Sequence, residues 1–201
     1  MKAMFLVGPH ASGKTYSAKL ALQNGSLDDV LLIDTGPMIR KIHASLAPEM
    51  KLSEWVEKIE EEHGDNITDD LIIREIELEL LKQKKDKCLI IGFRTLDGIN
   101  YLMNHMEVDD YKVLYIDADI NLLYQNYQRR EKEIPYDKFL DYILEEYHSG
   151  LEELKQECMT NENFEYVFKT DNSFTLDEHI NKFFNPSLSL IRKVGDNNEW
   201  Y

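Results

Sequence analysis

Residues 8–15 read Gly-Pro-His-Ala-Ser-Gly-Lys-Thr and fit the pattern G-x-x-x-x-G-K-[ST]. Each residue type in it has a chemical use. Gly8 and Gly13 let the backbone curl so that successive N–H groups face inward around an anion. A helix opening near Gly13 would add its positive end. Lys14 is placed to reach outer phosphates, and the Thr15 hydroxyl is a Mg²⁺ ligand type. Gly8, Pro9, His10, Ala11, Ser12, Gly13, Lys14 and Thr15 are therefore the expected cradle of a nucleoside triphosphate. The apolar run Met4–Val7 precedes the loop and a helical stretch, Tyr16–Leu22, follows it, which is the strand–loop–helix context such a cradle needs.

Two more groups carry chemistry: Asp34-Thr35-Gly36-Pro37-Met38-Ile39-Arg40, and Gly92-Phe93-Arg94-Thr95. Each follows a short apolar run. A guanidinium grips phosphate with a planar, bidentate fork. Arg40 and Arg94, one after each run, would suit a second phosphate group. On composition alone, both read equally well as surface ion-pair partners in an acid-rich chain. A third cluster, Gln128-Arg129-Arg130-Glu131-Lys132, precedes Ile134-Pro135. A basic segment there could close over the triphosphate and stabilise charge on a moving phosphoryl group. It also reads as a solvated helix end with cations at its negative pole.

The elements that must position these residues are visible as alternation. Short apolar runs recur at Met4–Val7, Val30–Ile33, Cys88–Ile91, Val113–Ile116 and Tyr166–Phe168. Unbroken apolar runs suit strands buried on both faces, as in a parallel sheet. Longer stretches with helical spacing lie between them, so a doubly wound α/β domain with a five-stranded parallel sheet is expected. In such a sheet, the segments that follow the strands line one crevice. Residues 135–158 read as a helix with Pro135 in its first turn and a stripe of Phe139, Tyr142, Ile143, Tyr147, Leu151 and Leu154; Gly150 marks a possible break. Segment 68–83 alternates like a strand over Ile76–Leu80. Its strong helix formers, a capping Thr68 and the acids Asp69 and Asp70 predict a helix instead.

The chain has 201 residues and a net charge of −15. This argues against coating a nucleic-acid duplex or an anionic membrane surface. Residues 52–82 hold eleven acids against Lys58, Arg74 and Lys82, a net of −8, and read as a solvated helical face. Cys88 and Cys158 are far apart in apolar contexts and read as buried thiols of a reducing cytosol. No apolar run reaches the roughly 18 residues of a membrane span, and no signal peptide is evident. A cytoplasmic protein is expected, one domain over 1–185 with a C-terminal tail at 186–201.

Taken together, these residues resemble the adenylate kinase and nucleoside monophosphate kinase family, from the phosphate loop to nearly residue 184. The segment 34–40 looks like the family's Ser-Thr-Gly-Asp-x-x-Arg, whose arginine holds the monophosphate. Thr68-Asp69-Asp70-Leu71-Ile72 is similar to Thr-Asp-Glu-Leu-Val. Ile91-Gly92-Phe93-Arg94-Thr95 looks like Asp-Gly-Phe-Pro-Arg-Thr with the proline deleted. Arg129 and Arg130 resemble the arginines that open the lid. Where the family has an acid that organises Mg²⁺, this chain has Ile91, and Asp34 is the candidate replacement. The lid, about 129–137, is short, and the later lid arginines have no evident counterpart. A short lid and a strand-end Asp also resemble dephospho-coenzyme A kinases and phage-type deoxynucleotide kinases.

The resemblance implies a P-loop NTPase fold of three α/β/α layers, with a helical acceptor-binding insertion at about 35–85. The implied activity is Mg²⁺-dependent transfer of the γ-phosphoryl of ATP to a small phosphorylated acceptor, a nucleoside or deoxynucleoside monophosphate. Lys14 and the loop would hold the donor. Thr15 and Asp34 would hold Mg²⁺. Thr35, Gly36, Arg40 and Arg94 would bind the acceptor. Arg129 and Arg130 would neutralise the moving group. Two rivals are a kinase acting on a hydroxyl, with Asp34 as base, and a non-catalytic ATP-binding regulatory protein. The expected partner is a small nucleotide, with no nucleic acid and no membrane, and the expected state is a monomer or homodimer.

Overall fold

A computed structural model of the chain describes residues 1–24, 27–64, 66–130, 134–172 and 176–186. Five strands form: β1 (Lys2–Val7), β2 (Val30–Asp34), β3 (Lys87–Ile91), β4 (Asp110–Ala118) and β5 (Phe164–Lys169). They make one sheet in the order β2-β3-β1-β4-β5. Every pairing is parallel, with Leu6 opposite Ile91 and Leu114, and Asp34 opposite Ile91 from the other side. The five apolar runs of the sequence all lie within these strands, as expected.

Alternate residues of each strand serve different cores. Ala3, Phe5 and Val7 of β1 join Cys88 and Ile90 of β3 and Val113 and Tyr115 of β4 in one cluster. Met4, Leu6, Leu89, Ile91, Leu114 and Ile116 join a second. Both faces of β1 to β4 are thus apolar, which is why these strands read as runs and not as alternation; the edge strand β5 departs from this, with Tyr166 and Phe168 exposed and Val167 between them buried. A one-residue slip of any strand would exchange its two sets.

The connecting helices are α1 (Lys14–Asn24), α2 (Thr35–Leu46), α3 (Leu52–His63), α4 (Ile67–Gln83), α5 (Leu96–His105), α6 (Ile120–Arg130), α7 (Tyr136–Glu146), α8 (Glu152–Glu157) and α9 (Asp177–Phe184). Helices α4, α5 and α8 supply Ile72, Ile73, Ile76, Ile99, Leu102 and Leu154 to the first core. Helices α1 and α9 supply Ala18, Ala21, Ile180 and Phe184 to the second. In α4 the strand-like alternation resolves as helix: Ile76 and Leu80 are buried, whereas Leu78 between them is exposed.

Three sequence expectations are corrected in detail. Thr68 does not cap α4. The cap position is Asn66, without a side-chain bond, and Thr68 Oγ1 instead donates to Glu60 Oε1 at 2.9 Å, tying α4 to α3. Pro135 stands just before α7 and not inside its first turn. The acids of 52–82 are not one solvated face. Glu54, Glu57, Glu61 and Glu62 are exposed, but Asp70 accepts the Tyr101 hydroxyl at 2.5 Å. Asp69 beside it is raised above the usual carboxylate range by burial, then by Glu60 and Asp70.

The expected 135–158 helix breaks at Gly150. Helix α7 ends at Glu146, a π-helical turn spans Tyr147–Leu151, and α8 follows. Gly150 has φ of 126°, which favours glycine. A Cβ there would lie 2.7 Å from the Arg94 carbonyl and 2.9 Å from Thr95 Cγ2. The glycine therefore lets this turn pack directly on the segment after β3.

Both cysteines are free; Cys88 is buried and Cys158 partly so. Among the described residues no helix is long and apolar enough to cross a membrane. The expected tail falls outside the described residues from 187 onward, as do 131–133 of the expected lid.

Candidate functional site

The loop after β1 opens directly into α1, whose first residue is Lys14. Gly8 has φ of 129°, and a Cβ there would run into the Ile116 carbonyl of β4. The loop is pinned this closely to the sheet only because residue 8 has no side chain. Lys14 folds back into the loop. Its Nζ donates to the carbonyls of Gly8 and Pro9, each at 2.7 Å, and to Ser12 Oγ at 3.3 Å. Burial lowers its pKa from the ordinary lysine value to about 8; Glu146 works against this shift, and Arg94 and Arg130 add to it.

One crevice brings most of the expected site residues together. Gly8, His10, Ala11, Gly13, Lys14 and Thr15 line it from the loop and the start of α1; Asp34 comes from the end of β2, Gly36 and Arg40 from α2, Arg94 from the segment after β3, and Arg130 from the end of α6. The parallel order places these segments side by side. Thr15 Oγ1 donates to Asp34 Oδ2 at 3.2 Å, while Asp34 Oδ1 accepts the Gly36 N–H at 3.3 Å. A hydroxyl and a carboxylate thus stand in contact beside the loop, the donor set that a Mg²⁺ ion with phosphate and water ligands uses. Among the described residues no group of three or more His, Cys, Asp or Glu could hold a metal by itself.

Not every expected residue lines the crevice. Ser12 and Thr35 are buried beneath it, and Pro9 contributes its carbonyl to Lys14. Arg129 is exposed and does not line it, whereas Arg130 does. Helical geometry separates them: neighbours differ by about 100° around the axis, so one of the pair faces the loop. Arg40 makes no ion pair among the described residues. Arg94 does make one, but its partner is not a surface acid.

That partner is Glu146, which the sequence reading missed. It is 3% exposed, and its Oε1 lies 2.8 Å from Arg94 Nη1. Its Oε2 accepts the His10 backbone N–H at 2.6 Å, and Tyr142 donates to Oε1 at 3.2 Å. A carboxylate therefore bridges the 8–15 loop and the arginine after β3. One signal could have found it. Glu146 continues the apolar stripe Phe139, Ile143 at helical spacing, and a carboxylate on such a stripe needs a cation. Burial chiefly, then Glu146, raises the Tyr142 hydroxyl to about 12. Burial also lowers His10, with Glu146 opposing and Lys14, Arg130 and Arg94 adding. The His10 ring lies edge-on to Tyr127 and Tyr142, with its Nε2 buried and without a hydrogen-bond partner among the described residues.

Two further supports were not legible. Asn126 of α6 donates to the Ala11 carbonyl at 3.2 Å, bracing the loop from outside. Asp117 of β4 is buried and accepts from Tyr147 at 2.9 Å, Lys155 at 2.8 Å and Tyr166 at 2.9 Å. Because Tyr147 follows Glu146, this anchor holds the end of α7 in place.

No protein-family model matches the chain, and comparison with curated proteins finds no match.

Proposed function

We propose that the chain is a Mg²⁺-dependent kinase of the P-loop NTPase class that moves the γ-phosphoryl of ATP to a small phosphorylated acceptor, a nucleoside or deoxynucleoside monophosphate. The observation that carries this reading is the convergence of Lys14, Arg40, Arg94 and Arg130 on one crevice from four different elements. A chain with net charge −15 that gathers its cations there is built for small polyanions and not for polymers. The reading makes the chain one three-layer α/β/α domain over 1–185, with α2, α3 and α4 as the acceptor-binding insertion of about 35–85 and a short lid at about 129–137. It also places the protein in the cytoplasm.

The roles follow from position. The 8–15 backbone and Lys14 hold the donor phosphates. Thr15 and Asp34 would hold Mg²⁺, which would supply charge neutralisation at the donor phosphates. Arg40 and Arg94 orient the acceptor, with Thr35 and Gly36 at the entrance to α2. Arg130 neutralises the moving group, and Arg129 is the outer member of that pair. Phosphoryl transfer is mostly positioning and electrostatics, so a phosphate acceptor needs no base.

A second reading has its own observation. Arg94 is already paired with Glu146, which leaves Asp34 beside Thr15 as a base for a hydroxyl acceptor. Incubation with Mg-ATP and a panel of nucleoside monophosphates, scored for diphosphates, tests the first reading. Acceptor-dependent turnover abolished by Lys14→Ala is the expected result. No turnover across the panel would overturn it and leave the hydroxyl kinase or a non-catalytic ATP-binding protein.

A further inference from the structure

The last residue of β5 is a lysine that the functional reading does not use. Lys169 is 2% exposed. Its Nζ reaches the phosphate loop, 3.5 Å from the Ser12 carbonyl and 3.0 Å from the point a Cβ on Gly13 would occupy. That long contact is the one hydrogen bond its ammonium makes among the described residues. An ammonium carries three donors, and burying it with a single marginal acceptor is costly. Two partly exposed lysines are better served. Lys14 has two carbonyls at 2.7 Å, and Lys155 has a carboxylate at 2.8 Å. Asp171 attracts Lys169 electrostatically, but burial dominates and lowers its pKa. A bound anion would offset that cost.

The sheet order says which anion. Strand β2, which ends at Asp34 and leads into α2 with Arg40, and strand β3, which leads to Arg94, lie on one side of β1; β4 and β5 lie on the other. Lys169 therefore approaches from the side opposite the acceptor residues. It meets the loop at Ser12 and Gly13, where the chain enters α1 and where a helix start would offer N–H groups to the phosphates of the proposed donor.

We propose that Lys169 is a second phosphate-binding cation of the donor site, completed by the inner phosphates of the bound triphosphate. This rests on the reading of residues 8–15 as the donor loop. The alternative is a clamp that merely fastens Ser12 to the sheet, and the two differ in sign. Removing an under-satisfied buried charge leaves the ligand-free protein no less stable, whereas removing a clamp destabilises it.

The test uses Lys169→Met, which keeps the stem, and Lys169→Gln as a second neutral variant. Inorganic tripolyphosphate is titrated calorimetrically into each, and ligand-free melting temperatures are compared. Tripolyphosphate binding weakened about tenfold, with melting unchanged or higher, is the expected result. Equal affinity in wild type and both variants overturns the inference alone. Weaker binding with lower melting in both variants also overturns it, in favour of the clamp. A wild-type protein that binds neither tripolyphosphate nor Mg-ATP overturns the donor-loop reading and this inference with it.

Discussion

Arg94 of the crevice and the buried Glu146 form an ion pair, 2.8 Å between Nη1 and Oε1, with the arginine 49% exposed and the glutamate 3%. The second carboxylate oxygen takes the His10 N–H of the phosphate loop at 2.6 Å. If residues 8–15 hold phosphate as proposed, the glutamate occupies two donors, a loop N–H and a guanidinium, that a phosphate oxygen would otherwise use. Glu146→Gln is expected to lower ligand-free stability by about 1–2 kcal/mol, discounted because the arginine is half in water. The same change should tighten tripolyphosphate binding, because an internal competitor becomes neutral. Urea unfolding and calorimetric titration measure the two effects; unchanged affinity would show that the carboxylate does not compete.

Lys14 gives a pH signature. Its folded pKa, about 8, lies below the ordinary 10.5. The unfolded chain therefore holds more proton between those values, so stability rises with pH across that window, and the cost of the buried charge is fully present below it. A bound phosphate favours the charged form. Nucleotide binding at pH 8 is expected to take up about half a proton, and Lys14→Arg none. Titrations in buffers of different ionisation heat read this directly.

The contact of Thr15 Oγ1 with Asp34 Oδ2 at 3.2 Å separates two roles for the carboxylate. If Asp34 serves only the metal, the rate lost in Asp34→Asn is recovered by raising Mg²⁺. With a phosphate acceptor, that recovery is the expected outcome. A loss of on the order of a hundredfold or more that Mg²⁺ does not restore would assign a base and a hydroxyl acceptor.

Gly150→Ala combines an unfavourable φ of 126° with a Cβ 2.7 Å from the Arg94 carbonyl. A loss of about 2 kcal/mol or more in urea unfolding is expected. Because the turn rests on the backbone of Arg94, turnover should fall even where the variant stays folded. Unimpaired stability and turnover would show that the turn is free to move.

Much of this protein is legible before any coordinates. The apolar runs gave strands buried on both faces, because only a sheet covered on each side tolerates Met4–Val7 or Cys88–Ile91 without polar alternation. The loop at 8–15 was legible because its geometry comes from residue types: glycines permit the curl, and Lys14 and Thr15 follow in fixed register. The positions of Asp34, Arg40 and Arg94 at or just after strand ends brought them to one side of the sheet, since parallel strands end on one side, whereas Arg130 reaches the crevice from the far end of α6.

Partners distant in sequence were decided by tertiary structure alone. Nothing local pairs Glu146 with His10, 136 residues away, or Lys169 with Ser12, 157 away. A glutamate in a helix and a lysine ending a strand look like solvent-facing residues until packing removes their water. Burial then turns an ordinary charge into one that must find a specific partner, and the fold determines which partner is within reach.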